Sequence, residues 1–148
     1  MKNLISFGFV VLFLISCSSS HSQEEKTIEK SFDGISSIDL STASGDCVIK
    51  KGSTDAVQVK VTYTYDDDDY TPKMEQSGSR LGLEEKFHAR NTRGSSKWEL
   101  TVPEGVEIEF SSGCGDLGLC DVYGEMDYNS GSGDAHIDDF EGELKGYS

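Results

Sequence analysis

The chain has 148 residues, of which 27 are acidic and 13 are basic, so its net charge at pH 7 is −14. A protein this acidic repels nucleic acid and anionic lipid head groups, which makes both poor candidate partners. The residues beyond position 26 suffice for one domain with a modest core, and their aromatic and β-branched content argues against disorder.

The N-terminus predicts where the protein resides. Residues 1–16 carry one positive charge, Lys2, and an apolar run that is too short to span a bilayer but typical of a signal peptide. The run ends in L-I-S-C at residues 14–17, which resembles a bacterial lipobox. We predict a lipoprotein signal peptide over residues 1–16 and lipidation of Cys17, with an ordinary secretory signal as the alternative.

A polar segment without periodicity, residues 17–26, predicts a flexible tether between the lipid and the folded domain. Acyl chains on Cys17 would make the membrane a partner through the anchor. By resemblance to bacterial lipoproteins, Ser18 favours the outer membrane, and Glu24-Glu25 weakly indicates export to the cell surface. The predicted location is the cell envelope, as an outer-membrane lipoprotein.

Short alternating runs predict β-strands along the rest of the chain. The clearest is AVQVKVTYTY, residues 56–65, whose valines and tyrosines share one face. We interpret the four aspartates at 66–69 as a solvated loop, not a Ca²⁺ site, because consecutive carboxylates cannot all face one ion. No stretch has helical periodicity, so we predict an all-β protein. The other predicted strands before the repeats cover residues 29–32, 35–40, 46–50, 73–76, 81–87, 97–102 and 106–110.

Residues 111–148 contain an 18-residue repeat, because S-G-C-G-D at 112–116 returns as S-G-S-G-D at 130–134. A third copy would begin at Ser148, so we expect the sequence to be truncated there. A short period with strand-like alternation is typical of stacked coils, and we predict a single-stranded, β-helix-like β-solenoid over residues 27–148. The turn glycines are expected to have positive φ. These glycines are Gly113, Gly115, Gly131 and Gly133.

Stacking would bring acidic residues of successive repeats into columns. Residues 105–148 hold 11 acidic side chains and one basic one, Lys145, and stacked like charges cost stability. We expect solvent and turn hydrogen bonds to relieve this cost, with each Asp accepting from N–H groups of its own turn. The columns are Asp116 over Asp134, Asp121 over Asp139 and Glu125 over Glu143.

Bound Ca²⁺ is the alternative explanation for the acidic columns. Calcium β-rolls repeat G-G-x-G-x-D-x-U-x, also in pairs that span 18 residues. Here the Asp directly follows the second Gly of the turn, so the match is weak, and we predict no cofactor. The weak metal candidates are Asp116, Asp134, Asp121 and Asp139.

Three cysteines remain besides Cys17. Cys114 and Cys120 could form a disulfide in an oxidising compartment, although either could pair elsewhere. Cys47 follows a Ser-Gly-Asp turn that resembles those of the repeats, and it occupies the place of Leu117. We therefore expect Cys47 to point inward as a small apolar residue.

The layout resembles a family of bacterial envelope proteins called "putative auto-transporter adhesin, head GIN domain". The resemblance covers roughly residues 32–148 and is most specific from Leu100 onward, where LTVPEGVEIEF leads into the S-G-x-G-D repeats. It implies a β-solenoid of short strands, often on a lipoprotein, and it carries over no catalytic residues.

The predicted function is that of a non-enzymatic, lipid-anchored envelope protein that presents an interaction surface, with adhesion as one role. The alternative is a regulatory or sensor domain that acts through another envelope protein. A carbohydrate-active β-helix is disfavoured, because repeats with Lys145 as their one basic residue would repel an anionic substrate. Expected partners are an envelope protein, or an extracellular matrix or glycan.

Overall fold

A computed structural model describes residues 24–147, which form twelve β-strands. Each predicted strand overlaps an observed one, so the all-β class is confirmed. The predicted signal peptide, Cys17 and residues 18–23 of the tether lie outside the described residues. The strands are β1 (Lys26–Phe32), β2 (Ser37–Thr42), β3 (Asp46–Lys51), β4 (Val57–Tyr63), β5 (Tyr70–Ser77), β6 (Arg80–Phe87), β7 (Ser96–Val102), β8 (Val106–Ser112), β9 (Leu117–Cys120), β10 (Tyr123–Ser130), β11 (Ala135–Asp138) and β12 (Glu141–Tyr147).

The strands form two six-stranded sheets, in the orders β1-β4-β7-β3-β9-β11 and β12-β10-β8-β2-β6-β5. Both sheets are mixed, because β4 pairs antiparallel with β1 and β7, and β5 pairs antiparallel with β6. The β-solenoid prediction is therefore wrong, and the arrangement is sandwich-like with no closed solenoid. The repeat is confined to the C-terminal strands, and it could not reveal the antiparallel pairing of strands that lack it.

The 18-residue repeat nevertheless sets the pairing of the C-terminal strands within the sandwich. Strands β8, β10 and β12 lie parallel in one sheet, and β9 and β11 lie parallel in the other. Leu117 pairs with Ala135, one repeat further on. Cys47 pairs with Leu117 and is 1% exposed, which confirms its expected inward position. The chain thus crosses between the sheets at each repeat turn, and the repeats bury one continuous interior.

The core lies between the two sheets. The predicted inward face of β4 is buried from Val57 to Tyr63, and Trp98 and Leu100 of β7 are fully buried. Phe110 of β8 stacks on Tyr128 of β10, with ring centroids 5.9 Å apart. Burial of this kind is the main stabilising contribution to a domain of this size.

A carboxylate, Glu85 of β6, is buried at the N-terminal end of the sandwich. It accepts hydrogen bonds from the Tyr70 hydroxyl at 3.0 Å, the Trp98 indole N–H at 3.2 Å, the Ala43 N–H at 2.9 Å and the Ser96 hydroxyl. Because these donors come from both sheets, Glu85 links the sheets across the core.

The rest of this end is closed by aromatic rings. Tyr70 packs between Tyr63, Tyr65 and Phe87, with ring centroids 4.7–5.1 Å apart. The aspartate loop follows, where Asp67 accepts from the Tyr63 hydroxyl and pairs with Lys26 at 3.0 Å.

In residues 24–147 there is no helix of the length and apolarity needed to cross a membrane.

Candidate functional site

The turns of the repeats are fixed by their serines. The Ser112 hydroxyl accepts from the Gly115 N–H at 2.8 Å, and the Ser130 hydroxyl accepts from the Gly133 N–H at 3.0 Å. Both serines are buried, and Thr42 donates to Ser112 at 3.0 Å. The first residue of S-G-x-G-D is therefore the residue that caps its own turn.

The aspartate of the motif has a different task from the one predicted. Asp46 accepts from the N–H of Asp116 at 3.0 Å, and Asp116 accepts from the N–H of Asp134 at 2.8 Å. Each carboxylate therefore binds the turn of the next strand layer, and the expectation that it caps its own turn is wrong. This aspartate ladder offsets part of the like-charge repulsion, because each charge accepts a backbone N–H.

The turn glycines allow close contact between strand layers. The prediction that Gly113, Gly115, Gly131 and Gly133 have positive φ is wrong. A Cβ added at Gly115 would overlap the carbonyl oxygen of Gly45, and one at Gly133 would overlap that of Gly115. Positive φ occurs instead at Asp121 and Asp139, at 53° and 52°. Equivalent residues thus adopt the same left-handed conformation, which aspartate tolerates better than most side chains.

The metal candidates occupy two separate places. Asp116 and Asp134 belong to the aspartate ladder, whereas Asp121 and Asp139 lie at the turns into β10 and β12. No group of three or more His, Cys, Asp or Glu suited to a metal ion is present in residues 24–147. The Ca²⁺ alternative gains no support from this arrangement, and it stays a hypothesis.

A cleft that the sequence did not reveal lies beside these turns. Its volume is about 680 Å³, and Tyr123 at its wall is 52% exposed. The Lys51 ammonium pairs with Glu104, and this contact, together with the more distant Asp121 and Glu141 carboxylates, raises the pKa of Lys51. We call it the Tyr123 cleft. Its lining residues are Lys51, Gly52, Ser53, Glu104, Asp121, Val122, Tyr123 and Glu141.

The chemistry of the Tyr123 cleft suits binding. An exposed tyrosine offers an apolar ring and a hydroxyl, and such residues are enriched where proteins bind partners. The three carboxylates of the lining can accept hydrogen bonds from the hydroxyl or ammonium groups of a ligand, while Lys51 pairs with Glu104 and is held charged. The one indication of this cleft in the sequence is Tyr123, an aromatic residue at the repeat position that Glu141 occupies in the next copy.

Glu85 is the carboxylate that most resembles a catalytic group, because it is buried. Its four donors fill its acceptor positions, and it faces the core instead of a cleft. Its role is therefore structural.

The cysteines differ in exposure. Cys47 is buried, and burial raises the pKa of its thiol, so it is protected from reaction. Cys114 and Cys120 are exposed and free in this structure, and their disulfide stays a prediction. The nearby Asp121 carboxylate raises the pKa of the Cys120 thiol, which lowers its reactivity as a thiolate.

Comparison with solved structures shows a shared fold. The chain is similar to a putative cell adhesion protein from Clostridium sporogenes, with a TM-score of 0.52 and 16% identity over 83% of this chain and 68% of that one. A putative adhesin from Parabacteroides merdae gives a TM-score of 0.45 and 11% identity over 83% of this chain and 58% of that one. A putative lipid binding protein from Parabacteroides distasonis gives 0.39 and 15%, over 82% and 60%.

At these identities the likeness to the Clostridium sporogenes protein shows the fold alone. The chain spans less than two thirds of the length of the other two proteins. No protein-family model matches the chain, and the comparison with curated proteins finds no match.

Proposed function

We propose that the chain is a non-enzymatic, lipid-anchored protein of the cell envelope that binds a partner through the Tyr123 cleft in an adhesion-like role. The observation that carries this proposal is the cleft, where an exposed aromatic ring stands beside three carboxylates. The fold shared with a putative cell adhesion protein supports it. So does the resemblance of residues 32–148 to the head GIN adhesin domains.

The partner of the cleft is a neutral or cationic group. The cleft carboxylates and the net charge of −14 disfavour anionic ligands. A glycan with free hydroxyls, or a basic segment of a matrix or envelope protein, fits this chemistry. A tyrosine face stacks on the apolar side of a sugar ring, and it also attracts a cation.

Binding of the full chain to a glycan and matrix-protein array tests the cleft. Tyr123→Ala is expected to weaken binding roughly tenfold or more, since exposed aromatic anchors dominate interfaces. Tyr147→Ala is the matched control, because Tyr147 is 72% exposed but lies outside the cleft. Equal binding by both variants would overturn the assignment of the cleft. Capture of one defined envelope protein, without array binding, would favour the regulatory alternative.

Anchoring is tested separately in a bacterial host. Cys17→Ser is expected to release the protein from the membrane fraction and to abolish labelling by a fatty-acid analogue. Ser18→Ala, one residue further on, should remain in the membrane fraction. Membrane association that persists in Cys17→Ser would contradict the lipid anchor.

A further inference from the structure

The two sheets of the sandwich differ in charge. In residues 24–147, the strands of the sheet that contains β4 hold six basic and four acidic residues. The strands of the sheet that contains β8 hold four basic and ten acidic residues. The first sheet therefore carries a local excess of positive charge in a protein that is acidic as a whole, and its lysines lie on β1, β3, β4 and β7, before the repeats.

A groove crosses the outer face of this sheet, over β1, β4, β7 and β3. Its volume is about 430 Å³, and three lysines, Lys30, Lys50 and Lys60, line it. Two carboxylates, Glu29 and Glu99, line it as well. We call it the Lys50 groove, and its preference for a ligand depends on which of these charges are already paired.

The carboxylates of the groove are balanced by lysines of the same sheet face. The Glu99 carboxylate lies 3.7 Å from the Lys60 ammonium and 3.9 Å from that of Lys97. Glu29 lies directly opposite Lys60 in the register of β1 with β4. These two acids and two lysines compensate one another, so the remaining lysines of the groove determine its charge.

The remaining lysines, Lys30 and Lys50, make no ion pair within residues 24–147. They lie on β1 and β3, whose backbones are three interstrand spacings, or about 14 Å, apart. The floor between them is neutral. Its side chains form one row across the strands, because Ser31 pairs with Gln58 and Gln58 with Thr101, which in turn lies beside Lys50. The groove thus presents hydroxyl and amide groups between two unpaired cations.

We propose that the Lys50 groove binds an acidic glycan in which carboxylated and neutral sugars alternate. Two carboxylates of the glycan pair with Lys30 and Lys50, and the hydroxyl groups of the sugar between them bond to Gln58 and Thr101. A concave floor of neutral hydrogen-bonding groups suits a sugar chain better than a flat membrane surface.

The net charge of −14 does not prevent this binding. The Debye length is about 8 Å at physiological ionic strength, so acidic residues on the opposite sheet are largely screened from the groove. The site is independent of the Tyr123 cleft, whose carboxylates disfavour anions.

Titration calorimetry of the purified chain with two matched oligosaccharides tests the proposal. One alternates uronic acid with a neutral sugar, and the other is the same oligosaccharide with its carboxyl groups reduced to alcohols. The acidic form is expected to bind roughly tenfold or more tightly than the reduced form, and added salt should weaken it. Lys50→Gln should weaken binding roughly threefold, and the double variant Lys30→Gln with Lys50→Gln roughly tenfold.

Lys86→Gln on β6 is the matched control, because it removes the same charge from an exposed lysine of the other sheet, and it should bind as the native chain does. Tyr123→Ala should also retain binding, which separates this site from the cleft. Melting temperatures identify any variant that fails to fold. Equal affinity for the two oligosaccharides, or native affinity in the double lysine variant, would overturn the proposal. So would binding to anionic vesicles without binding to the acidic oligosaccharide.

Discussion

The two ends of the sandwich are stabilised in different ways. At the N-terminal end, antiparallel strands enclose the buried Glu85 and a cluster of aromatic rings, so large side chains hold the sheets together. At the C-terminal end, parallel strands stack through glycines whose backbones nearly touch, and the aspartate ladder joins the layers. Specific side-chain packing therefore stabilises the first end, whereas close backbone contacts and charged hydrogen bonds between layers stabilise the second.

The largest expected effect is at the N-terminal end. Glu85→Ala removes the acceptor of four donors, and it should lower the free energy of unfolding by about 3–5 kcal/mol, since each buried donor left unpaired costs about 1–3 kcal/mol. Urea denaturation measures this loss. Glu84→Ala, at the exposed neighbouring position, should stay within about 0.5 kcal/mol. Equal effects would show that the buried network contributes little.

At the C-terminal end, the close approach of the backbones can be broken by one methyl group. Gly115→Ala places a Cβ against the Gly45 carbonyl oxygen and should cost about 3 kcal/mol, near the upper range for overpacking. Gly118→Ala is the control, because its nearest neighbour would be 3.7 Å away. Thermal unfolding compares them, and similar melting temperatures would contradict the requirement for glycine.

Alkaline pH should weaken the N-terminal end. Burial raises the pKa of Tyr63 to about 12, and burial beside Glu85 raises the pKa of Tyr70 further. A raised folded-state pKa means that stability is fully present below the unfolded pKa, about 10 for tyrosine, and is lost as pH rises above it.

Each such tyrosine should lower the free energy of unfolding by about 1.4 kcal/mol per pH unit above pH 10 until its folded-state pKa is reached. Unfolding measured between pH 8 and 11 checks the slope. Tyr70→Phe should have a shallower slope than the native chain, and Tyr147→Phe, with an exposed ring, should keep the native slope.

The aspartate ladder can be tested one step at a time. Asp116→Ala removes the acceptor of the Asp134 N–H and should cost about 1.5 kcal/mol, typical of a hydrogen bond to a charged group. Asp127→Ala, at an exposed aspartate of β10, is the control and should cost less than about 0.5 kcal/mol. The difference between the denaturant midpoints of the two variants measures the contribution of the aspartate ladder. Equal midpoints would show that the ladder does not stabilise the fold.

The smallest effect is expected from calcium. Because the Asp116 carboxylate already accepts a backbone N–H, the melting temperature should be the same in millimolar Ca²⁺ and in chelator. Magnesium at the same concentration controls for ionic strength. A rise of several degrees with Ca²⁺ alone would revive the metal hypothesis for the acidic columns.

The sequence by itself determined the positions of the strands and the faces that they bury, because both depend on local alternation of apolar and polar residues. Alternation in β4 and β7 predicted their buried faces, because a strand with one side in the core must repeat every second residue. The repeat predicted that Leu117 would lie beside Ala135. The resemblance of one early turn to the repeats predicted the buried position of Cys47, which pairs with Leu117 across a long stretch of chain.

Only the tertiary structure decided how these strands combine. Pairing of β4 with β1 and β7 is antiparallel and leaves no periodic pattern in the sequence. The β-solenoid prediction was wrong because it extended the C-terminal repeat to strands that do not share it. The partners of Glu85 and the walls of the Tyr123 cleft come from distant segments. Local periodicity fixes which face of a strand is apolar, but the neighbours that cover that face depend on contacts between residues far apart in the chain.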